Sequence, residues 1–197
     1  MRICAMAVVA VLLSGCGRVP ASLVELNASF DNALESTAPL AATHLPGSDM
    51  ERIAFERLER YFAGMTPATV RAQTADVYAR DAYLNDTLVG ISGARRIEEY
   101  FAHTASQARE MRVEFLQRAP AGPDWYVRWR MTVVVDALND GQPVVTYGVT
   151  QFRFDEDGRV LLHKDYWDAG TGLYEHLPVV GGLIQRVRAR LGAAAEP

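Results

Sequence analysis

Residues 144–167 read VVTYGVTQFRFDEDGRVLLHKDYW, and this stretch decides the fold. The side chains alternate in character with a period of two, which is typical of strands. The central Asp155-Glu156-Asp157-Gly158 supplies residues that tolerate a positive φ and so favour a tight turn. We therefore predict strands at 143–155 and 159–168, joined as an antiparallel hairpin.

Upstream of this hairpin the pattern continues for two strands and then changes to helices. Strands are predicted at 111–118 and 124–137, and Asn139-Asp140-Gly141 offers a second turn. Before residue 110 apolar residues recur at three- and four-residue spacings, which is typical of helices. The predicted helices span 23–34, 50–62, 68–78 and 94–107. Helices followed by a strand meander indicate an α+β domain whose curved antiparallel sheet carries its helices on one face.

Alternation also sorts the strand side chains into two faces. Trp125, Val127 and Trp129 share one face with the apolar side chains of the following strand. With that set inside, His163 and Asp165 are also drawn into the interior. The basic side chains expected outside are Arg128, Arg130, Arg153 and Lys164.

His163 and Asp165 are the first candidate site residues. They lie two positions apart on a predicted strand, so both side chains share one face. A histidine oriented by a carboxylate is a common general base, and the competing interpretation is a core histidine with satisfied hydrogen bonds. We predict no metal, because a third ligand for an open zinc site is not evident.

Composition excludes several classes of function. The 197 residues are 49% hydrophobic and carry a net charge of −4, without a lysine- and arginine-rich block, so a nucleic-acid partner is not expected. The two cysteines, Cys4 and Cys16, both lie in the first sixteen residues. Phosphate-loop and dinucleotide motifs are absent from the sequence, and no cofactor is predicted.

The amino terminus has the features of an export signal. Arg2 precedes an apolar run that is too short to span a bilayer, and Leu13-Ser14-Gly15-Cys16 closes it with small residues. This tetrapeptide resembles the bacterial lipoprotein signal, which implies that 1–15 is a signal peptide and that Cys16 is acylated, with palmitate among the chains. By analogy Gly17 favours the periplasmic face of the outer membrane in the cell envelope.

A family resemblance covers about residues 50–170. These residues are similar to the superfamily of nuclear transport factor two, the ketosteroid isomerases and the SnoaL-like polyketide cyclases. The resemblance implies a cone-shaped curved sheet wrapped by amino-terminal helices around a pocket. It rests on LERYF at 58–62, YARDAYLND at 78–86, FRFDEDGRV at 152–160, and Tyr166-Trp167.

The resemblance also implies roles for individual residues. Ketosteroid isomerases use a carboxylate base with a tyrosine and a protonated carboxylic acid as oxyanion donors, which is a standard example of pKa tuning. Asp86 falls on the base and Tyr61 near the oxyanion tyrosine, while Thr150 stands where that family has the acid. A hydroxyl is a weaker donor to developing charge, which favours a different substrate or reaction. From the residues alone, Asp86 between Asn85 and Thr87 is equally consistent with a turn residue.

The predicted domain organisation and function follow from these points. We expect a lipidated cysteine and tether at 16–47, the cone domain at 48–170, and an amphipathic extension at 171–197 that covers its own domain, a dimer partner or the membrane surface. Two kinds of function are expected. The first is acid/base catalysis without a cofactor on a small hydrophobic molecule, through Asp86, Tyr61, His163 and Asp165. The second is non-catalytic, either ligand binding or an accessory role in an envelope assembly. A homodimer is compatible with both. The ligand pocket is predicted to be lined by Tyr83, Trp129, Thr150, Phe152 and Trp167, which are otherwise core residues.

Overall fold

The structure is a computed structural model that describes residues 22–177 and 179–192. The predicted signal peptide at 1–15 and the predicted acylation site Cys16 lie outside the described residues. The described part contains no helix that is both long and apolar enough to cross a bilayer.

Six α-helices and six strands form the described structure. The helices are α1 (Leu23–Thr37), α2 (Asp49–Phe62), α3 (Pro67–Val77), α4 (Ala94–Ser106), α5 (Ala169–Gly172) and α6 (Val180–Gly192). The strands are β1 (Tyr78–Asn85), β2 (Gly90–Ser92), β3 (Glu110–Ala121), β4 (Asp124–Val134), β5 (Val144–Phe154) and β6 (Val160–Trp167).

The strands form one curved sheet in the order β2-β1-β6-β5-β4-β3. The predicted α+β class is confirmed, and β3 to β6 form the predicted antiparallel meander. Strand β1 was not predicted, and it pairs with β6 in parallel. Its last four residues are buried on both faces, so their side chains do not alternate in polarity as those of a half-exposed strand would.

Both predicted turns are present. Asn139 and Asp140 connect β4 to β5 with φ values of 49° and 53°. Gly158 closes the β5–β6 hairpin at φ 71°, and a Cβ there would lie 3.2 Å from Ala54 Cβ on α2. This hairpin therefore needs glycine both for its backbone conformation and for the close approach of a helix.

The core lies between the inner face of the sheet and helices α2, α3 and α4. Aromatic rings dominate it and meet edge to face, as in the pairs Phe55–Trp125 and Tyr61–Phe62, whose centroids are 5.2 and 5.0 Å apart. Other fully buried members include Leu58, Val70, Tyr78, Leu84, Ile97, Val127, Phe152, Phe154 and Val160.

Helix α1 covers part of the outer face of the sheet, and this changes the environment of Arg153. The side chain lies on the outer face, as alternation predicts, but only 8% of it is exposed. Its Nε donates to Asp124 Oδ1 at 2.6 Å, and its Nη1 donates to Leu34 O and Thr37 Oγ1 at 2.8 and 2.9 Å. Arg153 therefore lies on the predicted face, but it is buried there because a helix in the predicted tether segment packs over it.

The outer face beyond α1 is polar and more open. Lys164 lies there and its Nζ donates to Asn85 Oδ1 at 2.7 Å. Arg128 is exposed and Arg130 is half-buried, with a salt bridge to Glu114. These three basic side chains lie outside the core as predicted.

Replacing Arg153 by leucine should destabilise the protein by about 3 to 5 kcal/mol, because Asp124 would remain buried without its cation. The double variant Arg153→Leu/Asp124→Leu should recover most of that loss, since it removes both charges. Urea denaturation of the two variants and the parent protein measures both values. A cost below about 1 kcal/mol for the single variant would show that the buried ion pair contributes little to the stability of the fold.

Candidate functional site

His163 lies on the inner face of β6 and has a partner on each ring nitrogen. The residue is 3% exposed. Nε2 lies 2.9 Å from Asp165 Oδ1, and Nδ1 lies 2.8 Å from the Tyr78 hydroxyl. Because a carboxylate only accepts, Nε2 donates to Asp165, and the second ring nitrogen shares a hydrogen bond with the Tyr78 hydroxyl. Burial raises the pKa of Tyr78 well above its ordinary value, so this hydroxyl keeps its proton.

Asp165 receives two donors on the same oxygen. Its Oδ1 accepts from His163 and from the Thr150 hydroxyl, which in turn accepts from Trp129 Nε1 at 2.8 Å. No described residue donates to Oδ2, and the side chain is 17% exposed. The arrangement holds a carboxylate in a fixed orientation with one oxygen available to a further donor.

Asp86 is placed beside Asp165 by the parallel pairing of β1 and β6. Asn85, the last residue of β1, is the register partner of Lys164, so Asp86 follows the strand end beside Asp165. The hydrogen bond from Tyr100 on α4 holds the Asp86 side chain on the inner side of the sheet. Strands in a sheet lie about 4.8 Å apart, which brings the two carboxyl groups into one neighbourhood. The parallel pair therefore joins two acidic side chains that are far apart in sequence.

The carboxyl group of Asp86 is also part of the β1–β2 turn. Oδ1 accepts from the backbone N–H groups of Leu88 and Val89 at 3.0 and 2.9 Å. Oδ2 accepts from the hydroxyl of Tyr100 on α4, and the backbone carbonyl accepts from Trp167 Nε1 at 2.8 Å. Oδ1 therefore has the role of a turn residue, as one of the two interpretations predicted, while Oδ2 faces helix α4.

The environment of Asp86 raises its pKa above the ordinary aspartate value. Burial is the largest cause, and the nearby negative charge of Asp165 adds to it. The hydrogen bonds from Tyr100, Val89 and Leu88 act in the opposite direction and offset part of the shift. Asp86 thus binds a proton more readily than an exposed aspartate does.

Backbone strain follows directly after Asp86. Thr87 has a φ of 77°, which a β-branched residue rarely adopts. Its Oγ1 is buried and has no hydrogen-bond partner. Strained backbone and an unpaired hydroxyl both occur at the position next to a candidate site residue.

Tyr61 is buried but is not joined to either carboxyl group by a hydrogen bond. Its hydroxyl lies 2.9 Å from Thr74 Oγ1 on α3. Burial raises the pKa of Tyr61 above its ordinary value. Its ring packs edge to face against Tyr78, with centroids 5.9 Å apart. Among the described residues, Tyr61 is linked to the hydrogen bonds of Tyr78, His163 and Asp165 through ring packing and not through a hydrogen bond of its own.

Tyr83 lies on the opposite face of the sheet, which corrects its predicted place in the interior. In the register it pairs with Leu162, one position before His163, so the two side chains face away from the site. Its hydroxyl lies 2.6 Å from Ser29 Oγ on α1. The strand β1 was not predicted, and so its alternation could not be used to place Tyr83.

The interior around His163 is filled by side chains. The rings of Phe152, Phe62 and Phe101 lie 4.8, 6.0 and 6.3 Å from the imidazole. Trp129 packs over Gly148, where an added Cβ would lie 2.3 Å from the indole. The site is open to solvent on the side where Asp165 and Asp86 are partly exposed.

Two open depressions, of about 360 and 830 Å³, are described elsewhere on the protein. The smaller lies between the end of α2 and β3–β4, and the larger lies beside α2 and α3. Neither is lined by Asp86, Tyr61, His163 or Asp165. Within residues 22–177 and 179–192, no group of three or more metal-ligating side chains is assembled.

Tyr78 and Tyr100 are site residues that the sequence analysis missed. Tyr78 bonds to His163 only because β1 pairs with β6. Tyr100 follows Ile97 by three positions on α4, a spacing that turns both toward the domain. The helical spacing was a usable signal for Tyr100, whereas Tyr78 required the topology.

Comparison with known proteins agrees with this architecture. Among curated proteins there is no significant match. A Catenulispora acidiphila protein with a ketosteroid isomerase-like fold, in complex with trimethylamine, shares 16% identity at a TM-score of 0.54, covering 64% of this chain and 93% of its own. An LEH-like epoxide hydrolase of M. tuberculosis shares 16% at 0.53, covering 73% and 99%. TsrD from Streptomyces laurentii shares 14% at 0.55, covering 68% and 98%.

These structures establish a shared fold. The family model described as a SnoaL-like domain matches residues 58–163, more than half of the chain, and this range contains Asp86, Thr150 and His163. The chain therefore belongs to the SnoaL-like domain family.

Proposed function

We propose that the domain carries out acid/base chemistry without a cofactor on a small hydrophobic molecule. The observation that carries the proposal is the arrangement at Asp165, where Oδ1 holds His163 and Thr150 and Oδ2 has no donor among the described residues. A carboxylate fixed in this way is prepared to accept a proton from a substrate or a water molecule. Aromatic side chains around it suit an apolar molecule.

Each residue then has a defined task. Asp165 Oδ2 accepts the proton, and His163 and Thr150 act as positioning residues that hold the carboxylate. Asp86, whose pKa is raised, supplies a proton to the oxygen on which negative charge develops. The substrate loses one proton to Asp165 and gains one from Asp86, and exchange with water restores both carboxyl groups.

This pair of groups fits isomerisation, cyclisation, dehydration and hydrolysis. The LEH-like epoxide hydrolase similar to this chain favours hydrolysis as the first reaction to examine. Opening an epoxide with water needs a base for the water and an acid for the ring oxygen, which Asp165 and Asp86 provide. The likeness itself is one of fold, so the proposal rests on the carboxyl groups.

Non-catalytic binding is the second candidate, and one observation favours it. The interior next to His163 is filled by Phe152, Phe62 and Phe101, so the site is shallow. A shallow site with a fixed carboxylate could hold a hydrophobic molecule at the surface without converting it. Turnover measurements separate the two functions.

Removing the charge of Asp165 should lower the pKa of Asp86, because the two carboxylates repel each other. We expect the Asp86 carboxyl resonance to titrate at lower pH in Asp165→Asn than in the parent protein, as followed by carbon NMR. Asp81→Asn is the matched control, because Asp81 is exposed on β1. An unchanged Asp86 titration in Asp165→Asn would mean that the carboxyl groups are not coupled.

The stability of the protein should follow the same titration. Since the folded pKa of Asp86 is above the unfolded value of about 3.9, its contribution is full below that value and is lost as pH rises through the folded pKa. Asp86→Asn should remove this part of the pH dependence. Thermal denaturation at a series of pH values tests the sign.

Turnover should depend on both carboxyl groups. With styrene oxide and a β,γ-unsaturated cyclic ketone as probes, we expect Asp165→Asn and Asp86→Asn each to reduce the rate at least about 100-fold, while Asp81→Asn retains it. The rate should also fall as pH rises through the raised pKa of Asp86, because its proton is then absent. If Asp165→Asn matched the parent rate, or if neither probe were converted while a hydrophobic molecule co-purified in native mass spectrometry, binding would replace catalysis as the function.

We also propose that an acylated Cys16 anchors the domain to the periplasmic face of the outer membrane. Support comes from the order of basic residue, apolar run, small residues and cysteine in the sequence. Two or more acyl chains give stable anchoring, whereas a single chain is marginal.

Replacing Cys16 by alanine should abolish acylation, whereas Cys4→Ala should leave it unchanged because Cys4 lies within the predicted signal peptide. Labelling with a palmitate analogue, followed by mass analysis of the mature amino terminus, measures both variants. Equal labelling of the parent and the Cys16 variant would refute the anchor.

A further inference from the structure

Helix α6 presents an uncovered apolar stripe. Leu183, Val187 and Leu191 follow each other at intervals of four residues and therefore share one face. They are 62%, 50% and 73% exposed, and Val180 continues the stripe at 44%. A row of large aliphatic side chains at this exposure is unusual on a helix that contacts water alone.

Basic residues flank this stripe. A helix turns by about 100° per residue, which places Arg186 and Arg190 along one side of the stripe and Arg188 along the other. Residues 180–192 contain no aspartate or glutamate, whereas the chain as a whole has a net charge of −4. The cationic character of α6 is therefore local.

The attachment of α6 to its own domain leaves half or more of each of Leu183, Val187 and Leu191 exposed. Gly181 N donates to Leu177 O at 2.9 Å, and a Cβ at Gly181 would lie 2.1 Å from Glu175 O. Arg188 forms a salt bridge with Glu175. These contacts hold the first turn of α6 and the side of the helix that carries Arg188. The apolar stripe is not packed onto the described part of the domain.

We propose that α6 binds the surface of an anionic membrane, with the Leu183–Leu191 stripe at the boundary of the acyl chains and the arginines at the lipid phosphates. Charge complementarity selects this occupant. Arg186 and Arg190 border one side of the apolar face within a segment that has no acidic residue, which suits a negatively charged interface, whereas Arg188 on the other side is paired with Glu175. The inference does not depend on acid/base chemistry at Asp165. It is also separate from acylation of Cys16, and the two contacts would add.

Hydrogen–deuterium exchange of the full chain tests the inference at the level of the helix. The protein is mixed with vesicles of phosphatidylcholine alone, or of equal parts phosphatidylcholine and phosphatidylglycerol. We expect amides 183–191 to gain protection on the anionic vesicles only, with the gain reduced at high salt because of screening. An acyl anchor binds both kinds of vesicle, and so it cannot produce this difference.

A matched pair of variants locates the contact. Val187→Asp puts a charge into the stripe, and Ala189→Asp puts the same charge on the opposite, exposed side of the helix. We expect the first to weaken vesicle-induced protection at least about tenfold and the second to retain most of it. Arg186→Gln should weaken partitioning about fivefold, which corresponds to about 1 kcal/mol per basic residue.

Three results would overturn the inference. Equal protection on both kinds of vesicle would remove the role of the arginines. Protection that rises with protein concentration in the absence of vesicles would assign the stripe to a second copy of the chain. Exchange of α6 that stays fast under all conditions would show that the stripe is simply solvated.

Discussion

The imidazole of His163 is buried among aromatic rings, and each of its two nitrogens needs a hydrogen-bond partner. This requirement determines which side chains surround it. Water is excluded around His163, so an unpaired nitrogen would be costly. Tyr78 and Asp165 meet the requirement from two different strands. The low polarity of the surroundings strengthens both hydrogen bonds of His163, and the bond to Asp165 also fixes the orientation of its carboxylate. The geometry of the candidate site is thus a consequence of satisfying a buried polar group.

Much of the sheet could be predicted because polar and apolar side chains alternate along its strands. Alternation in β4, β5 and β6 placed Trp129, Phe152 and His163 on one face, and the two turns were recognisable from residues that accept a positive φ. The same reasoning brought His163 and Asp165 together, since residues two apart on a strand share a face. Local periodicity was sufficient where the polarity of the side chains alternates along a strand, even where α1 covers the outer face.

The remaining features depend on contacts between distant segments. The last four residues of strand β1 are covered on both faces, so the strand lacks a clear alternation. The partnership of Tyr78 with His163 and the outward position of Tyr83 therefore could not be predicted. Arginine is usually exposed to solvent, and Arg153 is buried because helix α1 covers it. Asp86 serves a turn with one oxygen and contacts Tyr100 with the other, a division that the local sequence does not reveal.

The parallel ladder between β1 and β6 joins the first long strand of the chain to the last one. Hairpins form between strands that are close in sequence. The β1–β6 ladder cannot form until almost the entire domain has been synthesised, because its two strands are separated by most of the domain sequence. The two acidic groups come together only at that stage. A nascent chain that ends before β6 therefore cannot place Asp165 beside Asp86, and the carboxyl pair assembles only after the last strand of the sheet has been synthesised.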